Sequence, residues 1–272
     1  MKQHFTTVIS QNFGKFAQKE FPRTIQNIIN HGYVQLMGLN MQEFHSPSSF
    51  SSLNALFTRH LKETRAFSRD AEDFISPCDA RVTSSGALSK ELALQIKGMS
   101  YNVDELLGDY VSAESKRKMY DGNFINLYLS PKDYHRYHMP TNCKIIKAIH
   151  IPGKLYPVNI PSLKKQLNLF IENERVVIEC LTHDGKTFFM VLVGALNVGK
   201  MIVSFEERIK TNTSTNDINC YEYEDLHLNK GDDFGCFEMG STIVIVAQKD
   251  LLDFDLETDC NVKQAQTISK IH

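Results

Sequence analysis

Ser241 follows a glycine directly, in Gly240-Ser241-Thr242, between a glycine-bearing segment at 230–235 and the apolar run at 243–247. A small hydroxyl nucleophile in that setting fits two readings. One is a plain turn. The other is attack by the chain on its own backbone, because glycine leaves the preceding carbonyl sterically open. The motif is not the GxSxG elbow of hydrolases, and Gly231, Gly235 and Gly240 do not form a P-loop or a dinucleotide fingerprint. The densest polar cluster is Asp133-Tyr134-His135-Arg136-Tyr137-His138-Met139-Pro140. His135 and His138 share a face on a helix or tight turn, and point to opposite faces on a strand. Either histidine suits general base work, since imidazole titrates near neutrality. No carboxylate pattern beside them completes a standard metal site, so no metal is expected. Asp79, in Ser76-Pro77-Cys78-Asp79-Ala80, fits a turn cap or the acid that orients a histidine in a nucleophile–base–acid arrangement.

The elements that must position these groups change in character along the chain. Residues 1–65 read as helical. Ile25, Ile28, Ile29, Val34, Leu36 and Met37 recur near helical spacing, with Pro22 at a start and Gly38 at a stop, and a second helix is expected over 52–61. These faces pack on the rest of the protein or lie in a bilayer interface; Phe5, Phe13, Phe16, Phe21 and Tyr33, with Lys2, Lys15, Lys19 and Arg23, are the ingredients for the second. From residue 74 onward, short apolar runs alternate with turns. Strands are expected at 81–84, 124–129, 145–149, 167–171, 176–181, 188–193, 201–205 and 242–247, interrupted by one short helix near 103–107. The predicted fold is α+β: N-terminal helices (1–65), then a compact, mostly β catalytic domain (66–272). The 272 residues carry a formal charge of −2, which gives no bulk field for nucleic acid, and no nucleic-acid partner is expected. Six scattered cysteines form no CxxC pair, and residues 1–10 lack an apolar leader core, so reduced thiols are expected. No run of about 18 apolar residues suggests a spanning helix.

The three chemical places occur together with FSSLNALFTRHL (50–61), YHRYHMP (134–140), PGKLYPVN (152–159), VGALNV (193–198) and Lys230-Gly231-Asp232 ahead of Gly240-Ser241-Thr242. On these motifs the chain resembles the phosphatidylserine decarboxylase proenzymes, particularly the short bacterial type. The resemblance implies self-cleavage between Gly240 and Ser241 by a triad of Asp79, His138 and Ser241. His138 takes the Ser241 proton, the hydroxyl attacks the Gly240 carbonyl, and elimination and hydrolysis leave a pyruvoyl group at 241 with loss of ammonia. A large chain (1–240) and a small chain (241–272) then stay associated. The resemblance further implies a carboxy-lyase that decarboxylates phosphatidylserine to phosphatidylethanolamine and carbon dioxide through a Schiff base with that pyruvoyl cofactor, with His135 protonating the α-carbon. Lys97, Arg136 or Lys154 would meet the lipid phosphate. A homodimer and peripheral attachment to the cytoplasmic face of the membrane are also implied. Two positions depart from the family pattern: Ala80 stands where glycine is usual, and 262–266 lacks a glycine after its lysine. The enzymatic alternative is a serine hydrolase that uses Asp79, His138 and Ser241 without self-processing.

Overall fold

The computed structural model describes residues 14–88, 93–96, 99–156, 169–195, 200–213, 216–238 and 241–272. Lys97 and Gly240 lie outside the described residues. Among the described residues up to 65 there are three α-helical pieces, a short one at 14–18, α1 (Arg23–Met37) and α2 (Leu53–Phe57), with a 3-10 turn at Pro47–Ser49 between the last two. Pro22 precedes α1 as expected. Gly38 ends it in the left-handed conformation (φ 66°), which glycine enters without a Cβ penalty. Ser52 caps α2 by accepting a hydrogen bond from the Ala55 amide at 3.1 Å.

The inward face of α1 is mixed in polarity. Its buried residues are Gln26 and Asn30, while Ile28 and Leu36 are 71% and 81% exposed. The inward amides are satisfied. Gln26 donates to Asn30 at 2.8 Å, and Asn30 donates to the Pro47 and Phe50 carbonyls at 2.9 and 3.0 Å. Ile29, Tyr33 and Val34 pack beside these amides against Leu53 and Leu56, so the helix docks through polar and apolar contacts together and leaves Ile25, Ile28, Leu36 and Met37 facing outward.

Beyond residue 65 the strands are β1 (Asp73–Ile75), β2 (Ala80–Ala87), β3 (Ala93–Ile96), β4 (Met99–Asn102), β5 (Asn123–Leu129), β6 (Arg136–His138), β7 (Cys143–Ile151), β8 (Arg175–Thr182), β9 (Thr187–Val193), β10 (Met201–Val203), β11 (Asn219–Leu228), β12 (Asp233–Phe237), β13 (Ser241–Ala247), β14 (Asn261–Val262) and β15 (Thr267–Lys270). An eight-stranded antiparallel sheet runs β11-β7-β8-β9-β13-β5-β2-β14, and a three-stranded sheet runs β10-β12-β6. The α+β, mostly β architecture expected from the sequence is the one observed.

β13 explains much of this arrangement. All seven of its residues are buried, because β9 and β5 flank it and both sheet faces are covered. Ile243, Ile245 and Ala247 join one core with Leu127, Ile178, Tyr137 and Phe237; Val244 and Val246 join a second with Val177, Phe189, Leu106 and Leu169. A strand covered on both faces reads as a continuous apolar run rather than an alternating one. Because side chains alternate, Ser241 shares the face of Ile243 and Ile245. That face meets the three-stranded sheet, which carries His138.

Several elements differ from expectation. Leu169–Glu172 forms a single helical turn, α5, where a strand was predicted over 167–171, of which 167–168 lie outside the described residues. So short an apolar run satisfies either period. Besides α3 (Val103–Leu107), a further helix, α4 (Ala113–Lys118), is capped by Ser112. The ten-residue β11 escaped notice because its outer face carries Glu222, Glu224 and Asp225, as suits an edge strand. β6 and β12 are short and polar or glycine-bearing, so pattern alone gave no strand signal. A Cβ on Gly235 in β12 would overlap the Ile202 carbonyl oxygen and the Tyr137 ring, which accounts for glycine in this middle strand.

Replacing Ile245, fully buried in β13, with alanine should lower unfolding free energy by about 2–5 kcal/mol in a denaturant titration.

Candidate active site

Ser241 is the first residue of β13, paired with Leu129 of β5, and its side chain is fully buried. Its Oγ makes no hydrogen bond among the described residues. A buried hydroxyl without a partner carries a desolvation cost and calls for an explanation; Thr242 Oγ1 and the Tyr101 hydroxyl share the condition among the described residues.

The Asp133–Pro140 cluster enters β6, and the extended chain sends its two histidines to different surroundings. His135, just before β6, is fully buried with its ring centroid 4.0 Å from that of Phe57 in α2. Its Nδ1 lies 2.9 Å from the Asp133 carbonyl. A carbonyl only accepts, so Nδ1 carries the proton and Nε2 presents a lone pair, which has no partner among the described residues. Burial pushes the His135 pKa down to about 3, opposed by the bond to Asp133 and assisted by the nearby Arg59 cation. At neutral pH this imidazole is therefore uncharged. His138 lines a cleft of about 480 Å³ with Tyr134, Arg69 and Gly231. Its Nδ1 donates to the Gly231 carbonyl at 2.9 Å, and its Nε2 accepts from the Tyr134 hydroxyl at 3.0 Å. Burial again lowers its pKa.

Gly231 belongs to the Lys230-Gly231-Asp232 motif and has φ 88°; a Cβ there would strike the Phe67 ring at 2.6 Å. Glycine thus lets the chain turn so that its carbonyl meets His138. Lys230 fixes the same turn by donating to the Ser68, Asp70 and Asp73 carbonyls.

The expected contact between Asp79 and His138 is not the one formed. The Asp79 carboxylate sits in a fork with Arg65, whose second nitrogen donates at 3.0 Å, and it also accepts from the Gln264 amide at 2.8 Å. A guanidinium matches a carboxylate in charge and geometry better than a neutral imidazole does. The Gly231 carbonyl takes the orienting position on His138 instead. Neither histidine hydrogen-bonds Ser241 Oγ. Two of the predicted phosphate cations are already paired: Arg136 with Asp233 (3.1 Å at the second nitrogen) and Lys154 with Glu172 (2.9 Å). Lys97, the third, lies outside the described residues.

Sequence reasoning missed the supporting shell, most of which comes from the N-terminal region. Arg65 binds Glu43 and Asp79. Burial opposes its charge, but these hydrogen bonds outweigh burial and raise its pKa. Arg59, buried over the Phe44 ring at 4.3 Å, donates to the Lys132 and Asp133 carbonyls at 3.2 and 3.4 Å. The Asp133 side chain accepts from the Ser130 amide at 2.7 Å, and burial raises its pKa to about 6. Arg59 fell within FSSLNALFTRHL, so that motif was the available signal. Arg65 had none.

A family model described as phosphatidylserine decarboxylase matches residues 53–270. Among curated proteins, the chain is similar to the phosphatidylserine decarboxylase proenzyme of Campylobacter jejuni, 42% identical over 269 residues, or 97% of this chain and 99% of the relative. It is similarly 42% identical to that of Helicobacter pylori over 268 residues, 98% of each chain. The Coxiella burnetii proenzyme is 34% identical over 250 residues, covering 91% of this chain and 87% of its own.

The state of His135 predicts a pH effect on stability. An unfolded histidine titrates near 6.5, the folded one near 3. Between these values only the unfolded chain binds the proton, so this group removes up to about 1.4 kcal/mol per pH unit as pH falls below about 6.5. Asp133, raised to about 6, acts in the opposite sense over its own window. Denaturant titrations of wild type and His135→Asn between pH 7 and 4.5 separate the two groups. Wild type should lose more stability on acidification, and equal slopes would contradict a buried neutral His135.

Proposed function

Since the chain belongs to the phosphatidylserine decarboxylase family, we propose that it is a precursor that cuts itself between Gly240 and Ser241 and then decarboxylates phosphatidylserine to phosphatidylethanolamine through a pyruvoyl group formed from Ser241. The observation that carries this reading is the buried, unpartnered hydroxyl of Ser241 at the start of β13. Such a serine suits a nucleophile whose target is the preceding carbonyl. It suits the serine hydrolase alternative poorly, because an acyl substrate from solution would have to reach a strand residue with no exposed surface.

In self-cleavage, Ser241 Oγ loses its proton to a base as it bonds to the Gly240 carbonyl carbon, and the peptide C–N bond breaks to leave an ester and an amine. Removing the Ser241 α-proton expels the Gly240 carboxylate, and water then releases ammonia. Holding nucleophile and carbonyl in one chain gives the attack a large proximity advantage. His138 is assigned as the base. Its Nε2 lone pair must exchange the Tyr134 hydroxyl for the Ser241 proton, while the Gly231 carbonyl keeps Nδ1 protonated. Asp79 acts through the Arg65 fork on the surrounding turn.

A pyruvoyl group supplies the electron sink for decarboxylation, a capacity no amino-acid side chain has. The residues around it must bind the substrate, exclude water and move protons. His135 is assigned to carry, on its free Nε2, the proton that the overall reaction takes up from solvent, and to give it to the α-carbon when carbon dioxide departs. Phe57 and the core around Tyr137 keep that Nε2 dry.

A two-chain lipid brings the enzyme to a bilayer. The outward face of α1, with Ile25, Ile28, Leu36 and Met37, is the proposed docking element for peripheral attachment at the cytoplasmic face, within an N-terminal membrane-associating region over 1–65. Among the described residues no helix is long and apolar enough to cross a membrane.

Carbon dioxide release from phosphatidylserine vesicles tests the reading. Ser241→Ala should abolish both processing and release. His138→Ala should slow processing about 10²–10⁴-fold, the usual worth of a general base. His135→Ala should process normally and lose release, and failure to process would contradict the division of roles. Ile28→Ser with Leu36→Ser should reduce vesicle binding in a flotation assay while activity on detergent-dispersed lipid persists.

A further inference from the structure

We propose that Glu238, held by Gln18 and Asn54, fixes the chain's approach to the Gly240–Ser241 bond and so sets the rate of self-cleavage; this positioning role rests on the self-cleavage reading above. Glu238 lies two residues before Gly240. Gln18 Nε2 donates to one carboxylate oxygen at 3.0 Å, and Asn54 Nδ2 donates to the other at 3.1 Å. The backbone is held as well: the Glu238 amide donates to the Lys200 carbonyl at 2.8 Å, and the Phe237 amide to the His135 carbonyl at 2.9 Å. On the far side, Ser241 is registered against Leu129. Only residues 239 and 240 separate the two anchors, so the position of Glu238 limits where the Gly240 carbonyl can stand relative to Ser241 Oγ.

The chemistry of the contact indicates positioning. No cation pairs with Glu238 among the described residues. Two neutral amides meet a carboxylate, one at each oxygen, which fixes its direction as well as its distance. Both donors come from the N-terminal helical region. Asn54 belongs to α2, the helix whose Phe57 packs on the His135 ring. One helix thereby holds an active-site histidine and the approach to the scissile bond together, and α1, with its outward apolar face, lies in the sequence between the two donors.

The test is the rate of self-cleavage of freshly synthesised full-length precursor, followed by gel or mass. Glu238→Ala and Asn54→Asp, the latter setting carboxylate against carboxylate, should slow cleavage from about tenfold to about a hundredfold, as misplacement of an intramolecular nucleophile does. Asn54→Asp combined with Glu238→Gln exchanges donor and acceptor and should restore most of the rate. Melting temperatures are compared in the uncleavable Ser241→Ala background to separate positioning from unfolding. Should Asn54→Asp fail to fold, Gln18→Ala on the exposed side carries the test, with slower cleavage at an unchanged melting temperature. Wild-type rates in Glu238→Ala and Gln18→Ala would overturn the proposal, as would a double variant as slow as Asn54→Asp alone at equal melting temperature. A wild-type precursor that never cleaves would instead sink the self-cleavage reading on which the proposal stands.

Discussion

Ser241 occupies the end of a strand that is buried on both faces and bonded on both edges, and this placement governs the rest of the structure. β13 gives up solvent entirely, and the hydroxyl at its first position has no hydrogen-bond partner among the described residues. Covering that face requires the three-stranded sheet, which brings β6 with His138, and His135 just before it, to that side of β13. It also explains how two chains would stay together after a cut before residue 241: β13 would still pair with β5 over 241–247 and with β9 over 242–247.

Around that strand the protein keeps its imidazoles neutral and its charges paired. His135 and His138 each donate from Nδ1 to a backbone carbonyl, which leaves the Nε2 lone pair of His135 without a partner among the described residues and that of His138 accepting from the Tyr134 hydroxyl. The carboxylate and guanidinium charges are matched to one another a short way off, Asp79 with Arg65 and Asp233 with Arg136. The N-terminal region supplies Arg59, Arg65, Phe57 and Asn54 to this shell. It is thus part of the candidate site's support as well as the proposed membrane contact: α1 docks through Gln26, Asn30, Ile29, Tyr33 and Val34 and leaves Ile25, Ile28, Leu36 and Met37 on its outward side.

Much of this was legible in the sequence, for identifiable reasons. β13, β9 and β8 announced themselves as apolar runs because they are covered on both faces. α1 declared its ends through Pro22 and Gly38. The strands that carry or cover the chemistry, β6 and β12, were invisible because their residues are chosen for the site rather than for a periodic face. The division of the apolar residues of α1 hid in the same way: periodicity finds an apolar stripe but does not say which of its residues face core and which face solvent. Asp79, His138 and Ser241 were found as motif residues, yet their contacts were not. That Arg65 would take the carboxylate and Gly231 the imidazole depends on chain segments more than ten residues from Asp79 and some ninety from His138.

Intact-protein mass spectrometry of the purified protein addresses the central claim most directly. The account predicts two chains divided between Gly240 and Ser241, the smaller spanning residues 241–272 with a ketone in place of its terminal amine. A single unmodified chain of 272 residues from folded protein would contradict it.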